Sequence, residues 1–180
     1  ALSRTIGKLE PIKGTFSELS GYESFFDVVY ASQKVLQKNS RSNAALYIGV
    51  FTPIRELFAR LEESKARKYT SSHFSFNSNL GRCSSCAGTG YEEIELQFLS
   101  DISLECVDCK GRKYKNAILE VKLRGYSIYD VLNLTVSEAY DFFIEHDNIK
   151  NKLDRLKTVG LDYLKIGQSI STLSGRELQR

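Results

Sequence analysis

Two cysteine pairs constrain this chain more than any other feature. Cys83-Ser-Ser-Cys86 and Cys106-Val-Asp-Cys109 form C-x2-C, nineteen intervening residues, and C-x2-C again. Thiolates at i and i+3 of a tight knuckle can both face one tetrahedral ion at about 2.3 Å, and a second knuckle closes the site. Four sulfurs leave no open position for a water nucleophile, so the spacing predicts one structural Zn2+ held by Cys83, Cys86, Cys106 and Cys109. Glycines follow each pair, at Gly88, Gly90 and Gly111. They let the chain turn so that backbone N–H groups face sulfur. The competing chemistries are weaker. A redox C-x-x-C lacks a βαβ context, a zinc enzyme needs an open coordination position, and only His73 and His146 could act as a base. His73 is not needed as a ligand.

Composition bounds the rest. Of 180 residues, 42% are hydrophobic, which excludes a disordered tail and is enough for one or two domains. No run approaches the roughly 20 apolar residues that span a bilayer, so no membrane partner is expected. Four cysteines, two prolines and no basic-then-apolar leader do not describe a disulfide-stapled secreted scaffold. A reducing, cytoplasmic setting is expected instead, which also argues against a disulfide. The chain starts at Ala1, has no Met and stops at Arg180 in what reads as a helix start, so a piece of a larger protein is expected.

The net charge of +3 hides strong segregation. Between Val28 and Thr70 there are eight basic residues against three acidic. Between Lys110 and Arg124, six basic residues (Lys110, Arg112, Lys113, Lys115, Lys122, Arg124) face Glu120 alone. Clusters of this kind suit a nucleic-acid backbone or, more plainly, a solvated face. Tyr114 lies among them, where it could stack on an unpaired base.

A strand is predicted over Phe25 to Tyr30. A helix is predicted from Thr52-Pro53, with Thr52 as its cap and Ile54, Leu57, Phe58 and Leu61 on one face. Alternation at Ile94, Leu96 and Phe98, and again at Leu119, Val121 and Leu123, predicts two half-buried strands paired across the cysteines, with Lys122 and Arg124 on one strand face. Thr135-Val-Ser-Glu138 is a capping box that opens a helix with Ala139, Phe142 and Phe143 inward. A second helix runs from Asn148 to Val159, and Gly160 ends it.

Near the C-terminus, Ser171-Thr-Leu173-Ser174-Gly175-Arg176-Glu177-Leu178-Gln179-Arg180 resembles the LSGGQ-type signature of ABC ATPases. A Ser and Gly at a helix start offer a hydroxyl and free N–H groups to a phosphate, although the same pair is also an ordinary cap. With the cysteine spacing, Gly49-Val-Phe-Thr-Pro-Ile-Arg-Glu-Leu-Phe58, Phe74-Ser-Phe-Asn77, Val159-Gly-Leu161 and Gly167-Gln-Ser169, the chain resembles the UvrA family, damage-recognition ATPases of bacterial nucleotide excision repair. The likeness covers most of residues 25–180 and is to the second ABC module, from past its Walker A helix to its signature.

The resemblance implies a zinc-bearing signature domain that helps bind damaged double-stranded DNA, in a parent that uses ATP and Mg2+, forms a homodimer and hands lesions to UvrB. It implies nucleotide-binding roles for Gln33, as the Q-loop glutamine, and for Ser174, Gly175, Arg176 and Glu177. Two departures stand out. Arg176 replaces the second signature glycine, and Val35-Leu-Gln-Lys38 replaces the usual Pro-Ile-Gly-Arg after the Q-loop. A paralogue with a role outside repair fits these departures. No G-x-x-x-x-G-K-[ST] and no apolar run ending in Asp-Glu is present, so the segment alone is expected not to hydrolyse ATP. A chaperone or interaction module is the other alternative, because Cys83 to Gly90 reads C-x-x-C-x-G-x-G as in J-protein co-chaperones. Those carry four such repeats against one good repeat here. The expected fold is α+β: a partial ABC ATP-binding layer with the Q-loop over residues 1–70, a zinc-ribbon β hairpin over 71–126 and a helical signature domain over 127–180.

Overall fold

Side-chain caps open half of the α-helices among the described residues. In the computed structural model, which describes Gly21, residues 42–94 and residues 102–179, the Asn43 side chain accepts the Leu46 N–H at 2.9 Å and starts α1 (Ala44–Tyr47). Apart from Gly21, these residues lie in the compact unit Leu36–Arg180. Helix α2 (Phe51–Ala59) follows with Val50 at its cap position. The predicted Thr52 cap is therefore displaced. Thr52 sits in the first turn, where its hydroxyl accepts from Arg55 Nη2 at 3.2 Å, and Pro53 occupies a first-turn position whose N–H has no partner in the helix. A short helix α3 (Glu62–Ala66) leads into turns.

Among the described residues the strands are β1 (Tyr91–Ile94) and β2 (Ile102–Glu105), paired antiparallel with Tyr91 opposite Glu105 and Ile94 opposite Ile102. Both belong to the excursion between the cysteine pairs. The strand predicted through Leu119, Val121 and Leu123 does not form. Ile118 and Leu119 are both buried at the end of α4 (Asn116–Leu119), and adjacent residues of a strand cannot both face one side. Val121 follows in a buried link, and Leu123 closes a tight turn with Tyr126 through reciprocal backbone bonds of 2.9 and 3.0 Å. Lys122 and Arg124 consequently share no strand face. The predicted strand over Phe25 to Tyr30, with Gln33, Leu96 and Phe98, falls outside the described residues.

Helix α5 (Ile128–Asn133) was not anticipated, although Ser127-Ile-Tyr-Asp130 carries its capping box in plain sight. The predicted box at Thr135 and Glu138 opens α6 (Val136–Phe142), which packs on α7 (Asp147–Thr158). Gly160, at φ +72°, donates its N–H to the Lys157 carbonyl at 2.9 Å and ends α7 as expected. A 3-10 turn (Ile170–Thr172) and α8 (Gly175–Gln179) complete the described chain.

One apolar core joins these pieces. Phe51, Ile54 and Phe58 of α2 meet Phe74, Phe76, Tyr114, Val121, Ile128, Phe143, Leu153 and Ile166. Phe51 stacks on Phe76 with ring centres 5.1 Å apart, and Phe58 lies 5.4 Å from Phe74. Thus the turn-rich stretch after α3 is fixed by two buried rings rather than by backbone ladders. The fold is α+β, with most of its order in short helices.

Candidate metal centre and signature loop

Each cysteine pair sits in a knuckle of the same shape. Ala87 and Gly88 after the first pair, and Lys110 and Gly111 after the second, all have positive φ, between 48° and 86°. Gly88 shows why glycine is needed: a Cβ there would lie 2.0 Å from the Phe76 carbonyl oxygen. The repeated left-handed turns swing each chain back over its own sulfurs. Gly90 N–H then points at Cys86 Sγ at 3.3 Å, the N–H–to–sulfur geometry anticipated from the glycine spacing.

Two backbone bonds lock the knuckles together: Cys106 N–H to the Gly90 carbonyl at 3.0 Å, and Cys83 N–H to the Lys113 carbonyl at 2.9 Å. Ser85 adds a hydroxyl bond to Asp108 across the pair, a contact not anticipated from sequence because the two residues meet only once the knuckles face each other. The result gathers all four buried sulfurs within 4.8 Å of one another. Cys83 Sγ lies 4.0 Å from Cys106 Sγ, and Cys86 Sγ lies 3.6 Å from Cys109 Sγ. Sulfurs bound tetrahedrally at about 2.3 Å stand about 3.8 Å apart, so the spacing matches a metal centre. It is nearly twice a disulfide bond length of about 2.0 Å.

The electrostatics agree. The Cys109 thiol is pushed up to about 12, chiefly by burial and further by Cys86 and Cys106, while the Lys113 N–H opposes the shift. Ionising Cys109 would therefore be eased by a cation among the sulfurs. Burial also lowers the Lys113 ammonium, against the pull of the Cys86 and Cys109 sulfurs. These residues could hold one metal ion with its shell filled.

The chain is 45% identical, over 179 residues, to UvrABC system protein A of Clostridium perfringens (strain 13 / Type A), a match that covers 99% of this chain and 19% of that protein. Nearly the whole chain is thus similar to one segment of UvrA proteins. It is also 46% identical to UvrABC system protein A of Escherichia coli (strain K12) over 165 residues, covering 92% of this chain and 18% of that protein. The crystal structure of UvrA2 from Deinococcus radiodurans superposes with a TM-score of 0.78 at 46% identity, over 82% of this chain and 18% of that one. No protein-family profile matches. The chain thus spans about a fifth of the length of the UvrA proteins it matches.

The signature-like residues open α8. Ser174 N–H donates to Glu177 Oε2 at 2.6 Å, and Glu177 N–H donates to Ser174 Oγ at 3.4 Å, a reciprocal cap. The Tyr163 hydroxyl also bonds Glu177, a contact invisible to sequence reading. Ser174, Gly175 and Arg176 are exposed. The approach to the signature is tied down by the Ile170 N–H to the Ser42 carbonyl, at 3.0 Å. A cavity of about 630 Å³ separates Ser169, Ser171 and Thr172 from Cys86, Ala87, Thr89 and Lys113 of the metal centre.

The six basic residues singled out after the second knuckle take different places. Lys110 is exposed on the left-handed turn, with no side-chain partner among the described residues. Arg112 donates to the Cys109 carbonyl and to Asn116, at 3.1 and 3.2 Å. Lys113 lies over the Phe76 ring at 5.5 Å. Lys115 Nζ holds the Asn79 and Leu80 carbonyls at 3.2 and 3.3 Å. Lys122 faces Asp130 at 3.6 Å, and Arg124 pairs with Glu145 while donating to the Phe142 carbonyl at 2.9 Å. Tyr114 corrects an expectation. It is 1% exposed, with its hydroxyl on the Phe74 carbonyl at 3.1 Å, so it belongs to the core and cannot stack on a base.

Proposed function

We propose that this segment serves a DNA-damage-recognising ABC ATPase of nucleotide excision repair, as the part that carries a structural zinc, a DNA-binding surface and the nucleotide signature. The observation that carries the reading is the buried four-sulfur cluster, separate from the aromatic core, whose second knuckle leads straight into the basic stretch. Zinc fits best because four thiolates at tetrahedral spacing suit a soft, redox-inert ion. Bound there, it would neutralise thiolate charge and hold the two knuckles together.

Lys110, Arg112, Lys113 and Lys115, with Lys122 and Arg124 farther along, are assigned to the backbone of damaged double-stranded DNA. Their internal contacts do not bar this, since most use only part of a side chain's donors. In the intact protein, ATP with Mg2+ would meet Gln33 and the signature Ser174, Gly175, Arg176 and Glu177, in a cytoplasmic homodimer that engages UvrB. The zinc ribbon and a partial ABC layer belong to this same reading. Arg176, where the family has glycine, favours a second reading as a paralogue with a role outside repair.

Fluorescence anisotropy of the full-length protein on duplex DNA tests the DNA assignment. With about three phosphate contacts, log affinity falls with log salt at a slope near −3. Replacing Lys110, Arg112, Lys113 and Lys115 with Ala together flattens that slope. An unchanged affinity and slope would move the footprint to residues between Arg55 and Lys68.

A further inference from the structure

Between the two knuckles the chain changes character. From Ala87 to Asp108 it contains no Lys or Arg and six acidic residues, directly beside the most basic stretch of the sequence. The described part of this excursion is the two-stranded ribbon of β1 and β2, with neither outer edge paired among the described residues. Residues directly opposite share a face, and successive pairs alternate sides. Ile94 with Ile102 and Glu92 with Leu104 therefore lie together on one face. Ile94 is 45%, Ile102 48% and Leu104 51% exposed. A lone two-stranded ribbon with an uncovered apolar face is marginal in water and gains from a covering layer or an added strand.

We infer that this face docks a protein partner whose contact segment carries an apolar strip bordered by lysines and arginines. Charge selects the occupant. Glu92 on the face offers no group to a phosphate and repels a nucleic-acid backbone, and exposed Glu105, on the ribbon's other face, gives that backbone no cation either. A second copy placed ribbon to ribbon would set Glu92 against Glu92 beside the same apolar contact, a like-charge arrangement that costs affinity. A basic, apolar protein segment satisfies the aliphatic side chains and the carboxylates at once, and the open strand edges supply backbone hydrogen bonds. The inference does not rest on the DNA assignment, which concerns the opposite charge on the neighbouring stretch.

The test uses the metal-loaded chain labelled with 15N and a synthetic peptide of about a dozen residues alternating Lys and Val, with a Glu and Val peptide as control. The Lys peptide is expected to perturb amides of Tyr91–Ile94 and Ile102–Glu105 selectively. Leu104→Lys and, separately, Glu92→Lys should each weaken binding about tenfold. Unchanged metal content and far-ultraviolet spectra guard against misfolding, and the charge-only change at Glu92 keeps the test intact if Leu104→Lys unfolds the ribbon. No binding, perturbation elsewhere, or equal binding of the Glu peptide would overturn the inference. Protection of the same amides by duplex DNA, or a dimer in sedimentation that Leu104→Lys abolishes, would also overturn it and assign the face to nucleic acid or to a second copy.

Discussion

Gly88 concentrates two demands on a single residue: a left-handed φ of +86° and an approach to Phe76 that leaves no room for a Cβ. Gly88→Ala is expected to cost more than about 2 kcal/mol, read as a lowered urea midpoint, because strain and clash act together. Metal should also be lost more readily from this variant, since Gly88 sets the turn that aims Gly90 N–H at Cys86. Tyr114 poses a gentler test. Tyr114→Phe keeps the ring against Phe76 and removes the hydroxyl with its bond to the Phe74 carbonyl, for an expected loss of about 1 kcal/mol. A larger salt-dependent loss of DNA affinity in that variant would contradict the burial of the ring.

At the scale of elements, paired caps start α5 and α6. Ser127→Ala and Thr135→Ala should each cost about 1 kcal/mol of stability. The carboxyl partners add a pH dependence. Partial burial pushes the Asp130 carboxyl up, but the Ser127 hydroxyl and N–H, with Lys122, hold it below its ordinary value. Glu138 is held down by the Thr135 N–H and hydroxyl. A depressed carboxylate contributes stability above its unfolded pKa and loses it as pH falls through the lower folded value. Denaturant midpoints should therefore drop as pH falls below about 4. That acid drop should shrink in Ser127→Ala and Thr135→Ala, and an equal drop in both variants would place the protons elsewhere.

For the whole molecule, the metal centre is expected to hold one zinc per chain by mass spectrometry, and its removal by a chelator should loosen the knuckles on either side of the ribbon. Loading requires thiolates, so it should release protons to an unbuffered indicator, and affinity should fall as the medium is acidified. The helical part has its own aromatic and aliphatic core, so helical circular dichroism should largely survive chelation while ribbon amides lose their dispersion. Complete loss of helix on chelation would mean that the sulfur cluster organises the core as well.

How much of this was legible beforehand follows from how far apart the interacting groups are in sequence. The two cysteine knuckles, the Thr135 box, the end of α7 at Gly160 and the helix start at Ser174 were readable, because each depends on residues a few positions apart whose geometry is set by local backbone chemistry. The α5 box at Ser127 and Asp130 is equally local. Strand pairing was not readable. A period of two at Leu119, Val121 and Leu123 arises equally from a helical turn followed by a buried link, and only packing against the core distinguishes the two. Tertiary structure likewise drew Tyr114 inward, because the fold brings Phe74 and Phe76 to it from some forty residues away. It also dispersed the basic cluster onto Asn79, Glu145 and Asp130, since a charge's partner depends on which surfaces meet once the chain has closed on itself.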